Sequence, residues 1–286
     1  MSNRKINNAR SGKKDEYYTQ YEVIAEELQY YKPHFKDAVI YCNCDDHRSS
    51  NFVRYFKENF EALGLKKLIS TQYVEDGTGI KMEYDGRAEI ISEHDGDGDF
   101  RSPSCYETLM EADIVVTNPP FSVFREFLDM LLTYNKKFII IGNHLAITCK
   151  DVYNYYRDGL FWFGGGINRN TAFQLSDDYE RYSYIDEGKK YGYVNISWYT
   201  NLTHTAPKIP LPLTCEYSED RYPTYDNYDA IHVDMSRNIP YDYEGVMGVP
   251  VTYLRWLDED HYEVLGLERP YLNGKQTFVR LMIRKR

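Results

Sequence analysis

The sequence predicts a doubly wound, mostly parallel α/β sheet followed by a Tyr/Pro-rich region that ends in a β-hairpin. Three observations lead there. Short β-branched runs alternate with amphipathic helical stretches as far as residue 142, the pattern of parallel strands joined by crossover helices. Those runs, among them Ala38-Val39-Ile40-Tyr41 and Phe138-Ile139-Ile140-Ile141, are almost wholly apolar, as strands covered on both faces must be. Near the end, Asn273-Gly274 lies between two apolar-rich segments, the strongest short hairpin signal a sequence offers.

Taken in order, residues 1–14 are polar and basic and read as a flexible arm. Val23, Ile24, Ala25 and Leu28 share one face of a helix predicted over 22–31, stopped by Pro33. A strand over 38–41 runs into the turn Cys42-Asn43-Cys44-Asp45-Asp46. Phe52, Val53, Phe56, Phe60 and Leu63 recur at helical spacing, and Gly64 closes that helix. A strand over 67–71 follows, then a polar Gly/Asp-rich stretch over 75–99 in which Glu89-Ile90-Ile91 is a short strand. A strand over 113–117, a helix over 123–134 and a strand over 137–142 complete the alternation, which Gly164-Gly165-Gly166 breaks. Beyond Thr203, four prolines (207, 210, 212 and 223) punctuate a Tyr-rich segment. The predicted organisation is an arm over 1–14, a main domain over 15–202, and a smaller region over 203–286 packed on it.

Charge and cysteine usage bound the function classes. A formal net charge of −10 on 286 residues argues against a broad polyanion-binding surface. Local basic faces remain, with Arg4, Lys5, Arg10, Lys13 and Lys14 at one end and Arg280, Arg284, Lys285 and Arg286 at the other. Five irregularly spaced cysteines, with no Cys-x-x-Cys pair, read as reduced thiols and give no metal site. No apolar run approaches the ~20 residues of a membrane span, and the polar start lacks a signal peptide's apolar core. A cytoplasmic protein is expected.

The most specific chemistry lies where the strand Ile114-Val115-Val116-Thr117 runs into Asn118-Pro119-Pro120-Phe121. Two prolines cannot continue a ladder, so the corner sits at the strand's carboxyl end, where open α/β sheets bind ligands. An amide oxygen on Asn118 and the Pro119 carbonyl can both accept from an exocyclic amino group, and Phe121 offers a face for a base. Four other segments precede or follow it. Tyr18 and Thr19 come just before the first helix. Asn43, Asp45 and Asp46 occupy the first βα loop, where small residues replace the usual Gly-x-Gly. Asp45 or Asp46 could hold an ammonium group. Asp99 and Phe100 end a Gly/Asp turn, where a carboxylate can accept from an adenine amino group and a ring can cover its face. Its Asp-x-Asp-Gly fragment lacks the bidentate Glu of a calcium loop. Trp198 and Tyr199 form a late aromatic pair that can stack on a base or simply pack the core.

Asn-Pro-Pro-aromatic corners mark amino-group methyltransferases, and the likeness here is closer. The runs Lys13-Lys14-Asp15-Glu16-Tyr17-Tyr18-Thr19-Gln20, Tyr41-Cys42-Asn43-Cys44-Asp45-Asp46, Gly96-Asp97-Gly98-Asp99-Phe100-Arg101-Ser102 and Asp113 to Ser122 resemble the EcoRI-type adenine-N6 DNA methyltransferase family, and the likeness spans roughly residues 13 to 284. The resemblance implies a Rossmann-like catalytic domain using S-adenosylmethionine without a metal, and methylation of adenine N6 at a short site in double-stranded DNA. Asn118, Pro119, Pro120 and Phe121 would form the catalytic corner. Tyr18, Thr19, Asn43, Asp45, Asp46, Asp99, Phe100 and Asn118 would bind the cofactor. Phe121, Trp198 and Tyr199 would stack on the extruded base, with residues 203–286 and the basic tail recognising DNA. A monomer is expected, working in the same system as a restriction endonuclease without touching it. The alternatives are transfer to RNA or to cytosine N4, or a catalytically silent DNA-binding homologue. The absence of Gly-x-Gly-x-x-Gly weighs against a nicotinamide oxidoreductase.

Overall fold

A computed structural model describes residues 17–166, 172–175, 182–193 and 195–286. The basic arm over 1–14 lies outside the described residues. The chain divides into two compact units, one of residues 1–146 and 154–206, the other of 147–153 and 207–286.

The first unit carries the predicted α/β sheet. In chain order its elements begin with β1 (Tyr17–Tyr18), α1 (Tyr21–Leu28), β2 (Val39–Cys42), α2 (Asn51–Glu58) and β3 (Lys67–Gln72). There follow β4 (Ile80–Tyr84), β5 (Glu89–Glu93), α3 (Pro103–Glu111), β6 (Ile114–Thr117), α4 (Phe124–Thr133) and β7 (Lys137–Asn143). The unit closes with β8 (Trp162–Phe163), β9 (Ala172–Leu175), β10 (Tyr184–Asp186), β11 (Lys189–Tyr193) and β12 (Ile196–Thr200).

The main sheet runs in the order β5-β4-β3-β2-β6-β7-β12-β8. Its centre, β3-β2-β6-β7, is parallel, and β4, β5, β12 and β8 extend it with antiparallel pairings. From β2 the chain moves to β3 on one side and later to β6 on the other, which creates a topological switch point between β2 and β6. Every residue of β2 and of β6 is buried, in keeping with their unbroken apolar character. A second sheet, β1-β9-β11-β10, is antiparallel throughout.

Two local expectations are corrected. Pro33 does not stop the first helix: a 3-10 turn over Gln29–Tyr31 ends it, and Pro33 enters the next helical turn, Lys32–Phe35, where its missing N–H is no loss. The Gly/Asp-rich stretch holds β4 as well as β5, so it is a β-hairpin rather than a loop with one strand. The predicted helix over Phe52–Leu63 forms with a break at Asn59, and Gly64 ends it at φ +63°.

The second unit contains β13 (Ile231–His232), β14 (Met247–Pro250), β15 (Tyr262–Glu268), β16 (Tyr271–Leu272), β17 (Lys275–Gln276) and β18 (Arg280–Lys285). The expected hairpin is present: β15 pairs antiparallel with β18, and between them β16 and β17 pair across Asn273-Gly274, both at positive φ. Among the described residues no helix is long and apolar enough to cross a membrane.

Candidate active site at the carboxyl ends of the parallel strands

The switch point brings two of the predicted segments together. After β2 the chain turns through Asn43 to Asp46, and α2 then starts with Ser50 as its cap, accepting from the Phe52 and Val53 amides. Asp45 is the pivot of this loop. It is 8% exposed, and its two oxygens accept from the Ser50 hydroxyl at 2.6 Å and the Thr117 hydroxyl at 2.6 Å. Thr117 is the last residue of β6, so the second bond ties the loop after β2 to the residue before Asn118. Burial pushes the Asp45 carboxyl up from its ordinary value near 3.8 to about 6, against the opposing effect of both hydroxyls.

Asn118 leaves the sheet with Pro119 and Pro120, and Phe121 opens a 3-10 turn that leads into α4. The Asn118 amide nitrogen donates to Thr19 Oγ1 at 3.3 Å, which turns the acceptor end of the amide the other way. Thr19 is itself buried and held by Asn51 of α2, whose side chain donates to its carbonyl at 2.8 Å. Asn118 is thus bonded to Thr19 and its chain neighbour Thr117 to Asp45, at the carboxyl ends of the central strands β2 and β6. Phe121 is half-buried at the margin of the main core. Tyr18 is on β1, and its side chain lies outside the described residues.

The Gly96–Asp99 turn packs against the end of β3. A Cβ on Gly98, which sits at φ +80°, would come within 2.3 Å of the Gln72 carbonyl, so only glycine fits there. Asp99 is clasped by Arg101, through the guanidinium Nε at 2.7 Å and Nη2. Burial, and after it the charge of Asp45, pushes the Cys44 thiol up, with Asp99 adding to the effect. Phe100 is 6% exposed and meets Phe127 edge-on at 5.1 Å, so its ring packs the core.

The late aromatic pair is placed differently from the base-stacking expectation. Trp198 and Tyr199 are neighbours inside β12, so they face opposite sides of the sheet, and both are fully buried. Trp198 packs edge-on to Phe52, while Tyr199 contacts Phe124, Phe161 and Phe163 and donates its hydroxyl to the Asn143 carbonyl at 2.8 Å. Their rings belong to the core.

One buried carboxylate escaped the sequence reading. Glu27 on α1 is fully buried and accepts from Tyr31 Oη at 2.7 Å and from the Gly165 and Gly166 amides at 3.2 and 2.5 Å. Burial raises its carboxyl from near 4.5 to about 6. The triple glycine was its signal, since a Cβ on Gly164 would come within 2.1 Å of the Glu27 carboxylate. All five cysteines carry free thiols, and among the described residues no cluster of His, Cys, Asp and Glu could hold a metal ion.

A parallel sheet whose loops gather at a β2/β6 switch point defines the class as a Rossmann-like α/β protein with its ligand site at the strand ends. The chain belongs to the family described as adenine-specific methyltransferase EcoRI, which matches residues 5–285. It is 42% identical to the Type II methyltransferase M.EcoRI of Escherichia coli, covering 100% of this chain and 97% of that protein. It is also 34% identical to the Type II methyltransferase M.MgeORF184P of Mycoplasma genitalium and 32% identical to M.MpnI of Mycoplasma pneumoniae, each covering 98% of both chains. No solved structure matches the chain. The family implies S-adenosylmethionine as methyl donor. The loop after β2 fits such a ligand: Asn43 Oδ1 and His47 Nε2 are buried there with no hydrogen-bond partner among the described residues, so both call for a polar ligand.

Proposed function

We propose that this enzyme methylates the N6 amino group of adenine at a specific site in double-stranded DNA, with Asn118, Pro119, Pro120 and Phe121 as its catalytic corner. The observation that carries the reading is the pair of hydrogen bonds, Thr117 to Asp45 and Asn118 to Thr19, that fix the corner against the cofactor loop. S-adenosylmethionine, when bound, supplies an electrophilic methyl group on a sulfonium. Asn43, Asp45, Asp46 and Thr19 would hold it, with Tyr18 and Asp99 at the margins. Of the two loop aspartates, Asp45 is the better ammonium partner, because a cation beside it offsets the desolvation that raises its pKa.

The target adenine must leave the duplex, since its amino group is engaged in pairing. Asn118 Oδ1 and the Pro119 carbonyl then accept the two amino hydrogens, which keeps the nitrogen lone pair directed at the methyl. Phe121 stacks on the extruded base. Catalysis rests on positioning and on fixed dipoles aimed at developing charge. The five free thiols suit a cytoplasmic enzyme. The reading extends to a monomer within a restriction–modification system that makes no contact with the nuclease.

The test is transfer of a labelled methyl group from S-adenosylmethionine to DNA, followed by nucleoside analysis. Label in N6-methyladenine is expected. Label confined to cytosine or to RNA, or no label at all, contradicts the reading.

A further inference from the structure

The second unit holds a cavity of about 390 Å³ lined by His232, Lys275, Gln276, Thr277, Phe278 and Arg280. Its chemistry is unusual for an acidic chain. Arg280, at the start of β18, is only 8% exposed, yet among the described residues no carboxylate pairs with it. Its Nε donates to the Gly248 carbonyl at 3.3 Å, and Nη2 donates to the carbonyls of Val233 and Gly248. No hydrogen bond is made by Nη1 among the described residues. Two acids act on it electrostatically: the Tyr225 phenol, which burial keeps protonated, and then Asp234, which accepts from Asn238 and from the Met235 amide instead. A guanidinium held by carbonyls and a neutral phenol is positioned but not neutralised, and an uncompensated buried charge favours an incoming anion.

The surroundings complete a site. Lys275 is exposed at the rim beside the Asn273-Gly274 turn, and among the described residues it has no ion-pair partner. The other cations of this strand are spent, Arg284 on Glu263 and Lys285 on Glu244. Phe278 stands on the rim with 92% of its surface exposed, which places a bare aromatic ring beside two unneutralised cations. Arginine and lysine with a neighbouring ring form the combination that grips a sugar-phosphate backbone and stacks or wedges against its bases.

We propose that this cavity is a DNA contact, in which Arg280 and Lys275 take a backbone phosphodiester and Phe278 packs against the adjoining sugar or base. The proposal rests on the reading of the chain as a DNA methyltransferase and adds to it a contact with the duplex made by the second unit.

The experiment measures binding of the full-length protein to a short fluorescent duplex over a series of salt concentrations. The variants are Lys275→Gln, Phe278→Ala and Arg280→Lys, each checked for folding by circular dichroism. Lys275→Gln is expected to lower the salt slope by about one, the signature of a lost phosphate contact. Phe278→Ala should weaken binding about tenfold with the slope unchanged. Arg280→Lys keeps the charge but loses the fork, and should weaken binding by a similar factor; if it fails to fold, the two surface variants decide. A wild-type protein that methylates DNA, with both surface variants matching its affinity and slope, overturns this contact and leaves the methyltransferase reading intact. Binding of inorganic phosphate with the duplex indifferent to all changes also overturns it. A wild-type protein that neither binds nor methylates DNA defeats both.

Discussion

The corner after β6 and the strand β12 put the same kind of residue to different uses. Each carries an aromatic side chain, and from sequence each is a fair platform for a base. At the corner, Pro119 and Pro120 end the ladder, so Phe121 is carried out of the sheet into a 3-10 turn and stays half-exposed. In β12 the ladder continues through Trp198 and Tyr199, which pair with Ile141 and Ile140 of β7, and both rings are buried. An aromatic residue becomes available to a ligand where the backbone stops pairing, not where the residue type is merely suitable.

Truncating one ring at each place should give opposite results. Trp198→Ala should cost about 3–5 kcal/mol of stability, as large-to-small core changes do, measured by denaturant unfolding. Folded Trp198→Ala protein should still transfer methyl groups, and a stable but inactive variant would return Trp198 to the base-binding site. Phe121→Ala should do the reverse. Loss of base stacking is worth about 1–3 kcal/mol, so kcat/KM should fall roughly tenfold or more while the melting temperature moves little. A large drop in melting temperature with normal kinetics would make Phe121 a core residue.

The two buried carboxylates sharpen the comparison further, because one stands at the site and the other does not. Asp45 and Glu27 both have pKa values raised to about 6 in the folded protein. A raised value means the folded state holds the proton more tightly than the unfolded chain. Their stabilisation is therefore complete below the unfolded values near 4 and is lost as pH rises through about 6. The loss amounts to about 3 kcal/mol for Asp45 and about 2 kcal/mol for Glu27. The ligand-free protein should melt at lower temperature at pH 7 than at pH 5, and Asp45→Asn and Glu27→Gln should each flatten that slope. Bound cofactor should remove the Asp45 share only. An equal effect of cofactor on both shares would argue against an ammonium beside Asp45.

Much of the first unit was legible because its physics is local. Buried parallel strands are near-continuously apolar, and β2, β6 and β7 lie where such runs predicted them. The corner was legible for the same reason, since two prolines dictate a break wherever they occur. What the sequence hid depends on contacts between distant segments. Glu27 reads as one more acid on a helix until the glycines at 164–166 close over it. Asp45 and Asp46 are adjacent and equivalent in sequence, and it is burial and the contact with Thr117, 72 residues on, that distinguish Asp45. β4 was missed because Ile80-Lys81-Met82-Glu83-Tyr84 alternates among turn-forming neighbours and has one fully buried residue, Met82.

In the proposed reaction, one amide and one main-chain carbonyl aim the adenine nitrogen. Single-turnover methyl transfer by Asn118→Ala, with cofactor affinity measured on the same preparation, tests it most directly. Cofactor binding close to that of the unaltered enzyme, with transfer slowed about 10²-fold or more, is the predicted result. Transfer at an undiminished rate would contradict it.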